Sequence, residues 1–403
     1  MKFKKYLITF ITVVVTVSII LFCKRFFYND YSKNKIKVGF VYLSDQATAY
    51  TNNFYSAQIE LEEAFGDKVE TVVKYNIPEQ QAEVNAALLE LIFQKCDLIF
   101  TTSYGYGEYT KEVAAQFPNV QFCQATFSNA NEEPVLPNYH NFMGRIYEAR
   151  YVSGVIAGLK LLQLLQEGKI NSNNVELGYV GAFPCAEVIS GFTAFYLGVQ
   201  GIIPDAKMIV RYTYTWSDFL EEKKCAEKLI QDGCVIIAQH SDTIGPAVAC
   251  EEASVRKGKT VFHIGYNQTM TAVAPTTSLV SCRINWAPYV TKATEALLKK
   301  KNIESYIKSN LKGNDVGFGF DKKWVEIIGL NNLIVPKDTI EEMEKVISKF
   351  ESNNLTVFQG DFIGMNPFDD EDVWNLRTPY YENEKQSAPS FCYILKSAIT
   401  VIE

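Results

Sequence analysis

Short apolar runs alternate along the chain with longer segments in which apolar residues recur at helical spacing. The first runs predict four strands, Lys37–Tyr42, Val69–Tyr75, Asp97–Thr102 and Val120–Ala125. The segment Glu79–Gln94 is typical of the helices between them, because Val84, Leu88 and Leu91 fall on one face. Strands that are apolar along nearly their whole length, with helices between them, indicate parallel strands covered on both faces.

A second series of the same kind follows the predicted helix Arg145–Gln166. Its predicted strands are Val175–Val180, Lys207–Tyr214, Cys234–Gln239 and Thr260–Tyr266. Three pairs of segments resemble each other between the two series: KVGFVYLSD and VELGYVGAF, DLIFTTSYG and CVIIAQHSD, VQFCQATFS and TVFHIGYNQ. This repeat predicts an α/β protein with two lobes, each built on a doubly wound parallel sheet.

The boundaries of the lobes depend on where the chain crosses between them. We expect the strand Leu279–Asn285 and the helix Trp286–Lys300 to return the chain to the first lobe, and the helix Thr339–Phe350 to belong to the second. The predicted first lobe is then residues 36–140 plus 275–303, and the predicted second lobe is residues 141–274 plus 304–360. Residues 361–403 are expected to form a C-terminal extension.

The first 35 residues differ from the rest and predict a signal or anchor followed by a linker. Three lysines within the first five positions precede an uncharged run, Tyr6–Cys23, which Lys24 and Arg25 end. One interpretation is a cleaved lipoprotein signal peptide with Cys23 as the lipid attachment site, although Phe22 stands where a small residue is usual. An uncleaved membrane anchor is the alternative, and a buried core helix is a third. The first two tether the body to the cell membrane on its extracytoplasmic face.

Charge and composition exclude several classes of function. Seven of the 39 basic residues and one of the 46 acidic residues precede residue 36, which leaves 32 basic against 45 acidic residues and a net charge of −13. A body this acidic is unsuited to a nucleic-acid backbone. None of the nine cysteines forms a CxxC pair, and neither HExxH nor GxSxG occurs, so we expect no metal site, no cofactor and no enzymatic activity.

Aromatic and polar residues gather where the predicted strands end at their carboxyl side. In open α/β sheets this edge is where ligands bind. The candidate ligand-binding residues are Tyr50, Asn53, Phe54, Tyr104, Phe183, Trp216, His240, Asp242, Asn267 and Trp286. For any single ring among them, packing within the protein is an equally good interpretation.

Several of these segments resemble the basic membrane protein (BMP) family of bacterial ABC-transporter solute-binding lipoproteins, which includes purine nucleoside receptors. The similar stretches are KVGFVY, CDLIFTTSYGY, NFMGRIYEARYVSGVIAG, VIIAQHSD, and HIGYN followed by TSLVSCRINWAPYV. The resemblance runs from about Lys37 to about Gly360. It implies a type I periplasmic-binding-protein fold, with two lobes joined by three crossovers and a ligand in the cleft. It further implies a purine ring held between aromatic side chains, near Tyr50, Asn53 and Phe54 on one lobe and near His240 and Asp242 on the other.

The chain departs from the family pattern after the last strand of the second lobe. Family members often carry two aspartates there, and such a carboxylate can bind a ribose diol. Here the corresponding residues are Asn267, Gln268 and Thr269, with no acid among them. The resemblance implies a purine nucleoside or a purine base as ligand, and the missing acids also leave a different small aromatic solute open.

Together these features predict an extracytoplasmic solute-binding protein that delivers a purine-type ligand to the permease of an ABC importer. Two alternatives stay open. A membrane-anchored sensing ectodomain would share the fold, and a nucleoside hydrolase would need Asp242 and His240 to act without an evident nucleophile or metal cluster.

Overall fold

The computed structural model describes residues 35–171, 175–309 and 311–402. The expected signal or anchor, including Cys23, lies outside this part of the chain. Among the residues that are described, we find no helix with the length and apolar character needed to span a membrane.

The first lobe is built on a six-stranded parallel sheet in the order β11-β5-β4-β3-β1-β2. Its strands are β1 (Ile36–Val41), β2 (Val69–Lys74), β3 (Leu98–Thr101), β4 (Gln121–Ala125), β5 (Tyr139–Gly144) and β11 (Asp315–Phe318). All residues of β3 and β5 are buried, as expected for central strands of a sheet with helices on both faces.

The second lobe is built on a seven-stranded sheet in the order β12-β10-β9-β8-β6-β7-β16. Its strands are β6 (Glu176–Gly181), β7 (Lys207–Tyr212), β8 (Ile236–His240), β9 (Phe262–Tyr266), β10 (Ser278–Ile284), β12 (Val325–Ile328) and β16 (Ile399–Ile402). The pairs are parallel except for β10 with β12. The two sheets confirm the predicted α/β, type I periplasmic-binding-protein fold.

Ten α-helices connect these strands within the described residues. They are α1 (Ala49–Phe65), α2 (Gln81–Phe93), α3 (Gly107–Gln116), α4 (Ile146–Gln166), α5 (Ala186–Gln200), α6 (Phe219–Gln231), α7 (Gly245–Lys257), α8 (Ala287–Leu298), α9 (Ile303–Ile307) and α10 (Thr339–Glu351). Close packing of α4 on α5 requires glycine, since a Cβ on Gly154 would lie 2.1 Å from the carbonyl oxygen of Phe195.

The chain crosses between the lobes three times, after β5, after β10 and after β11. Strand β10 pairs with β9, so the expectation that this strand returns to the first lobe is wrong. Strand β11 pairs with β5, so the boundary drawn at residue 304 is also wrong. An apolar strand followed by a helix has the same local pattern in either sheet, and only the choice of partner strand decides its lobe.

The C-terminal region is joined to the lobes and is not a separate extension. Strands β13 (Ile363–Asn366), β14 (Asp369–Asn375) and β15 (Ile394–Leu395) form a small antiparallel sheet, and β16 then extends the second sheet beside β7. On the first lobe, the backbone N–H of Ser387 donates to Asp315 Oδ2 at 2.8 Å. This region therefore contacts both lobes.

Candidate ligand-binding site

A cavity lies between the lobes, at the carboxyl ends of the parallel strands. Both lobes contribute to its wall. The lining residues are Leu43, Tyr50, Glu79, Ser103, Tyr104, Thr126, Glu187, Trp216, Asp242 and Tyr266. The position agrees with the rule that ligands of open α/β sheets bind outside the carboxyl ends of the strands.

Aromatic rings from both lobes face this cavity. On the first lobe, Tyr50 is oriented by its hydroxyl group, which donates to the carbonyl oxygen of Thr102 at 2.5 Å. On the second lobe, the Trp216 ring is supported from behind by Phe183, with 5.7 Å between the ring centroids. Another lining ring, Tyr104 of the first lobe, is 63% exposed at the mouth of the cavity.

The Tyr266 ring lies over a buried cation. The guanidinium carbon of Arg150 is 4.0 Å from the Tyr266 ring centroid, and Arg150 Nη1 donates to the carbonyl oxygen of Gln239 at 2.6 Å. Arg150 is 1% exposed and does not line the cavity. It places a positive charge behind the wall, where it attracts the carboxyl groups in front.

Three carboxyl groups line the cavity, and each is held by a neighbour. Glu79 Oε1 accepts hydrogen bonds from Ser103 Oγ at 2.5 Å and from the backbone N–H of Gly105 at 2.7 Å. Asp242 Oδ1 accepts from Asn267 Nδ2 at 2.8 Å. The third, Glu187, lies in the first turn of α5. The lining residues thus include three acids, and none of them is a lysine, an arginine or a histidine.

Burial brings two of these acids into the titration range of neutral pH. It raises the pKa of Asp242 to about 7, against the hydrogen bond from Asn267, which lowers it. It likewise raises the pKa of Glu187 to about 7, against the attraction of Arg150. Near pH 7 each carboxyl group can either accept a hydrogen bond from a ligand or donate one.

His240 is a buried, neutral imidazole behind the wall. Burial and the nearby Arg150 hold the pKa of His240 well below its usual value. Its Nε2 lies 3.4 Å from Glu187 Oε1, and its ring meets the edge of Tyr266 at 4.7 Å between centroids. His240 therefore supports two lining residues and does not itself face the cavity.

Four of the predicted site residues line the cavity, namely Tyr50, Tyr104, Trp216 and Asp242. Phe183 and His240 lie behind Trp216, while Asn53 and Asn267 bond to each other across the lobes. The expectation for Phe54 and Trp286 is wrong, because these rings stack on each other in the core at 4.3 Å and 14°. Both are almost fully buried, at 0% and 2% exposure, since α1 and α8 pack together there.

The sequence analysis missed the acids Glu79 and Glu187 and the hydroxyl groups of Ser103 and Thr126. Ser103 and Thr126 follow β3 and β4 closely, so the rule applied to the aromatic residues would have found them. Glu79 lies five residues after the end of β2, and Glu187 lies in the first turn of α5, so neither directly follows a strand. Their reach into the cavity depends on the path of the loops.

Comparisons with known proteins agree with this geometry. Residues 41–355 match the Bmp family, described as ABC transporter substrate-binding protein PnrA-like. A purine-binding protein of Brucella abortus is 30% identical over 331 residues, covering 82% of this chain and 85% of that protein. A putative ABC transporter glucose-binding protein of Haloferax volcanii is 32% identical over 201 residues, covering 50% of this chain and 46% of that protein.

The fold also matches solved structures. A solute-binding protein of an ABC transporter system from Aeropyrum pernix aligns with a TM-score of 0.63 and 17% identity, covering 79% of this chain and 92% of that chain. At this identity the likeness concerns the fold alone. From the match over residues 41–355, the chain belongs to the Bmp family of PnrA-like ABC transporter substrate-binding proteins.

Proposed function

We propose that this substrate-binding protein holds a purine base or a purine nucleoside in the cavity between its lobes and delivers it to an ABC permease. The observation that carries the proposal is the composition of the cavity wall. Aromatic rings from both lobes, Tyr50 on one side and Trp216 and Tyr266 on the other, surround the cavity, and carboxyl groups lie at its edge.

Each part of this wall suits one part of a purine ligand. Stacking of a base on an aromatic side chain contributes about 1–3 kcal/mol. Carboxyl groups accept hydrogen bonds from exocyclic amines, ring N–H groups or ribose hydroxyl groups, and charge-assisted bonds of this kind are stronger than neutral ones. Closure of the lobes around the ligand would remove water from these contacts and strengthen them.

Residues 267–269 include no acid, but other carboxyl groups of the cavity could bind a ribose. Asp242 bonds to Asn267 and also lines the cavity, so a carboxyl group is available one side chain away from the position where the family often has it. Glu187 and Glu79 offer two more. A nucleoside therefore remains as good a candidate as a free base.

Calorimetric titration tests the proposal with adenine, adenosine, guanine, guanosine and glucose. Glucose is included because one relative is named a putative glucose-binding protein. We expect at least one purine to bind and to raise the melting temperature, since a ligand of the folded state stabilises it. Binding of glucose with no binding of any purine would refute the purine assignment and leave the substrate-binding family assignment intact.

The N-terminal segment supports a location outside the cytoplasmic membrane, where substrate-binding proteins of ABC transporters act. We propose that the run Tyr6–Cys23 tethers the protein there, either through a lipid on Cys23 or as an uncleaved anchor.

A further inference from the structure

Two hydrogen bonds of one side chain, Asn53, join the two lobes beside the cavity. Asn53 Nδ2, on α1 of the first lobe, donates to Asn267 Oδ1, which follows β9 of the second lobe, at 3.1 Å. The two side chains are 5% and 4% exposed. Because the partners belong to different lobes, this bond exists only while the lobes are closed.

The orientation of Asn53 is determined by its second partner in the other lobe. Arg283 Nη1, on β10, donates to Asn53 Oδ1 at 3.4 Å. Arg283 is itself held by Glu326, its direct neighbour across β10 and β12, through a 2.9 Å hydrogen bond from Nε to Oε2. With its carbonyl oxygen turned to Arg283, Asn53 must present its NH₂ group to Asn267.

The orientation of Asn267 follows from that of Asn53. Its carbonyl oxygen accepts from Asn53, so its NH₂ group points the other way and donates to Asp242 Oδ1 at 2.8 Å. The backbone of Asn267 has φ of +62°, in the left-handed region that asparagine tolerates better than most residues. An aspartate at this position would bring two carboxyl groups into contact.

We propose that Asn53 and Asn267 are positioning residues that couple lobe closure to the orientation of the cavity carboxyl group of Asp242. Closure forms the Asn53–Asn267 bond, and Asn267 then holds Asp242 Oδ1. The second oxygen of Asp242 is left for an N–H or O–H donor of the ligand. This inference shares one assumption with the proposed function, namely that the ligand contacts Asp242.

The first test separates this bond from a general effect on helix α1. Asn53→Ala removes the donor, whereas Asn52→Ala changes the preceding, exposed asparagine and serves as the matched control. Small-angle scattering is measured with and without adenosine. We expect Asn53→Ala to have a larger radius of gyration than the wild type, because it loses the hydrogen bonds to both Asn267 and Arg283. The dissociation constant should rise about two- to thirteenfold for each hydrogen bond lost. Asn52→Ala should match the wild type within twofold.

The second test exchanges the two partners. Asn267→Asp should weaken adenosine binding at pH 8 and recover towards pH 5.5, because a proton shared between residues 267 and 242 restores a donor. Glu222 and Glu187 also raise the pKa of Asp242, and Arg150 lowers it, so the pH profile is compared with that of the wild type. Asp242 in turn raises the pKa of the neighbouring Tyr50 and Tyr266. In the double variant Asn267→Asp/Asp242→Asn, one NH₂ group again faces one carboxylate. Its radius of gyration should therefore equal that of the wild type.

The outcomes distinguish the two proposals. If adenosine does not bind the wild type, the purine assignment fails for this ligand, while the radius of gyration of the ligand-free variants still tests the bond. Equal radii for the wild type and Asn53→Ala in both states would overturn the coupling. A pH profile of Asn267→Asp parallel to that of the wild type would overturn it as well, since a merely structural role does not create a new shared proton.

Discussion

Replacing Trp216 by alanine should weaken purine binding while leaving the second lobe folded. The Trp216 ring faces the cavity and is only half-buried, between Phe183 and the ligand space. Its removal takes away one stacking surface, which is about 1–3 kcal/mol of binding free energy. The dissociation constant should therefore rise about 5- to 160-fold.

Phe54→Leu is the matched control, because Phe54 is an aromatic residue near the same cleft that does not reach the ligand. Its ring stacks on Trp286 at 4.3 Å and is fully buried. Leucine fills much of the volume but loses the ring pair, which is worth about 0.5–1.5 kcal/mol. We expect a lower free energy of unfolding by about that amount and an affinity within twofold of the wild type.

Calorimetry with adenosine measures the affinity of both variants, and urea unfolding measures their stability. The reasoning requires the two effects to separate, with affinity lost in Trp216→Ala and stability lost in Phe54→Leu. Unchanged affinity in Trp216→Ala would show that this ring is not part of the binding surface. A large loss of affinity in a fully stable Phe54→Leu protein would show that the ring of Phe54 contacts the ligand after all.

Three further predictions concern stability and the tether. Burial raises the pKa of Glu382, which accepts hydrogen bonds from the backbone N–H groups of Ser390 and Phe391, to about 8. Since the unfolded chain loses this proton near pH 4.3, stability should fall as pH rises from about 4 to 8, and the melting temperature of Glu382→Gln should fall less over that range. Deleting the last five residues removes β16 with the buried Ile399, which exposes the edge of β7, and should lower the melting temperature of the protein. A fatty-acid probe should label the wild type and not Cys23→Ala if Cys23 is lipidated; equal labelling of both proteins, or of neither, would exclude that attachment site.

Local pattern was sufficient for most elements of both lobes, although it did not predict strands β5, β11, β12 and β16. The predicted helix Arg145–Gln166 differs by one residue from the observed Ile146–Gln166, and most strand ends differ from prediction by one or two residues. Each of these segments has its own periodicity, because the strands are buried on both faces and the helices on one. The repeat of strand and helix patterns likewise determined that there are two lobes.

The partner of each strand was decided only by the tertiary structure. Strand β10 and helix α8 are adjacent in sequence, yet the strand pairs with β9 in the second lobe and the helix packs on α1 of the first. Nothing in the apolar pattern of β10 distinguishes the two sheets. The predicted boundary therefore failed where the chain crosses the hinge.

The sequence by itself predicted the family, the fold and the edge of the sheets where the cavity lies. It could not determine which rings at that edge face the cavity. Phe54 and Trp216 are both aromatic residues near strand ends, but Phe54 is turned to Trp286 and Trp216 to the ligand space. Their directions follow from the packing of helices and from the closure of one lobe on the other. Contacts of this kind join residues more than 200 positions apart, such as Asn53 and Asn267, and no local sequence pattern encodes them.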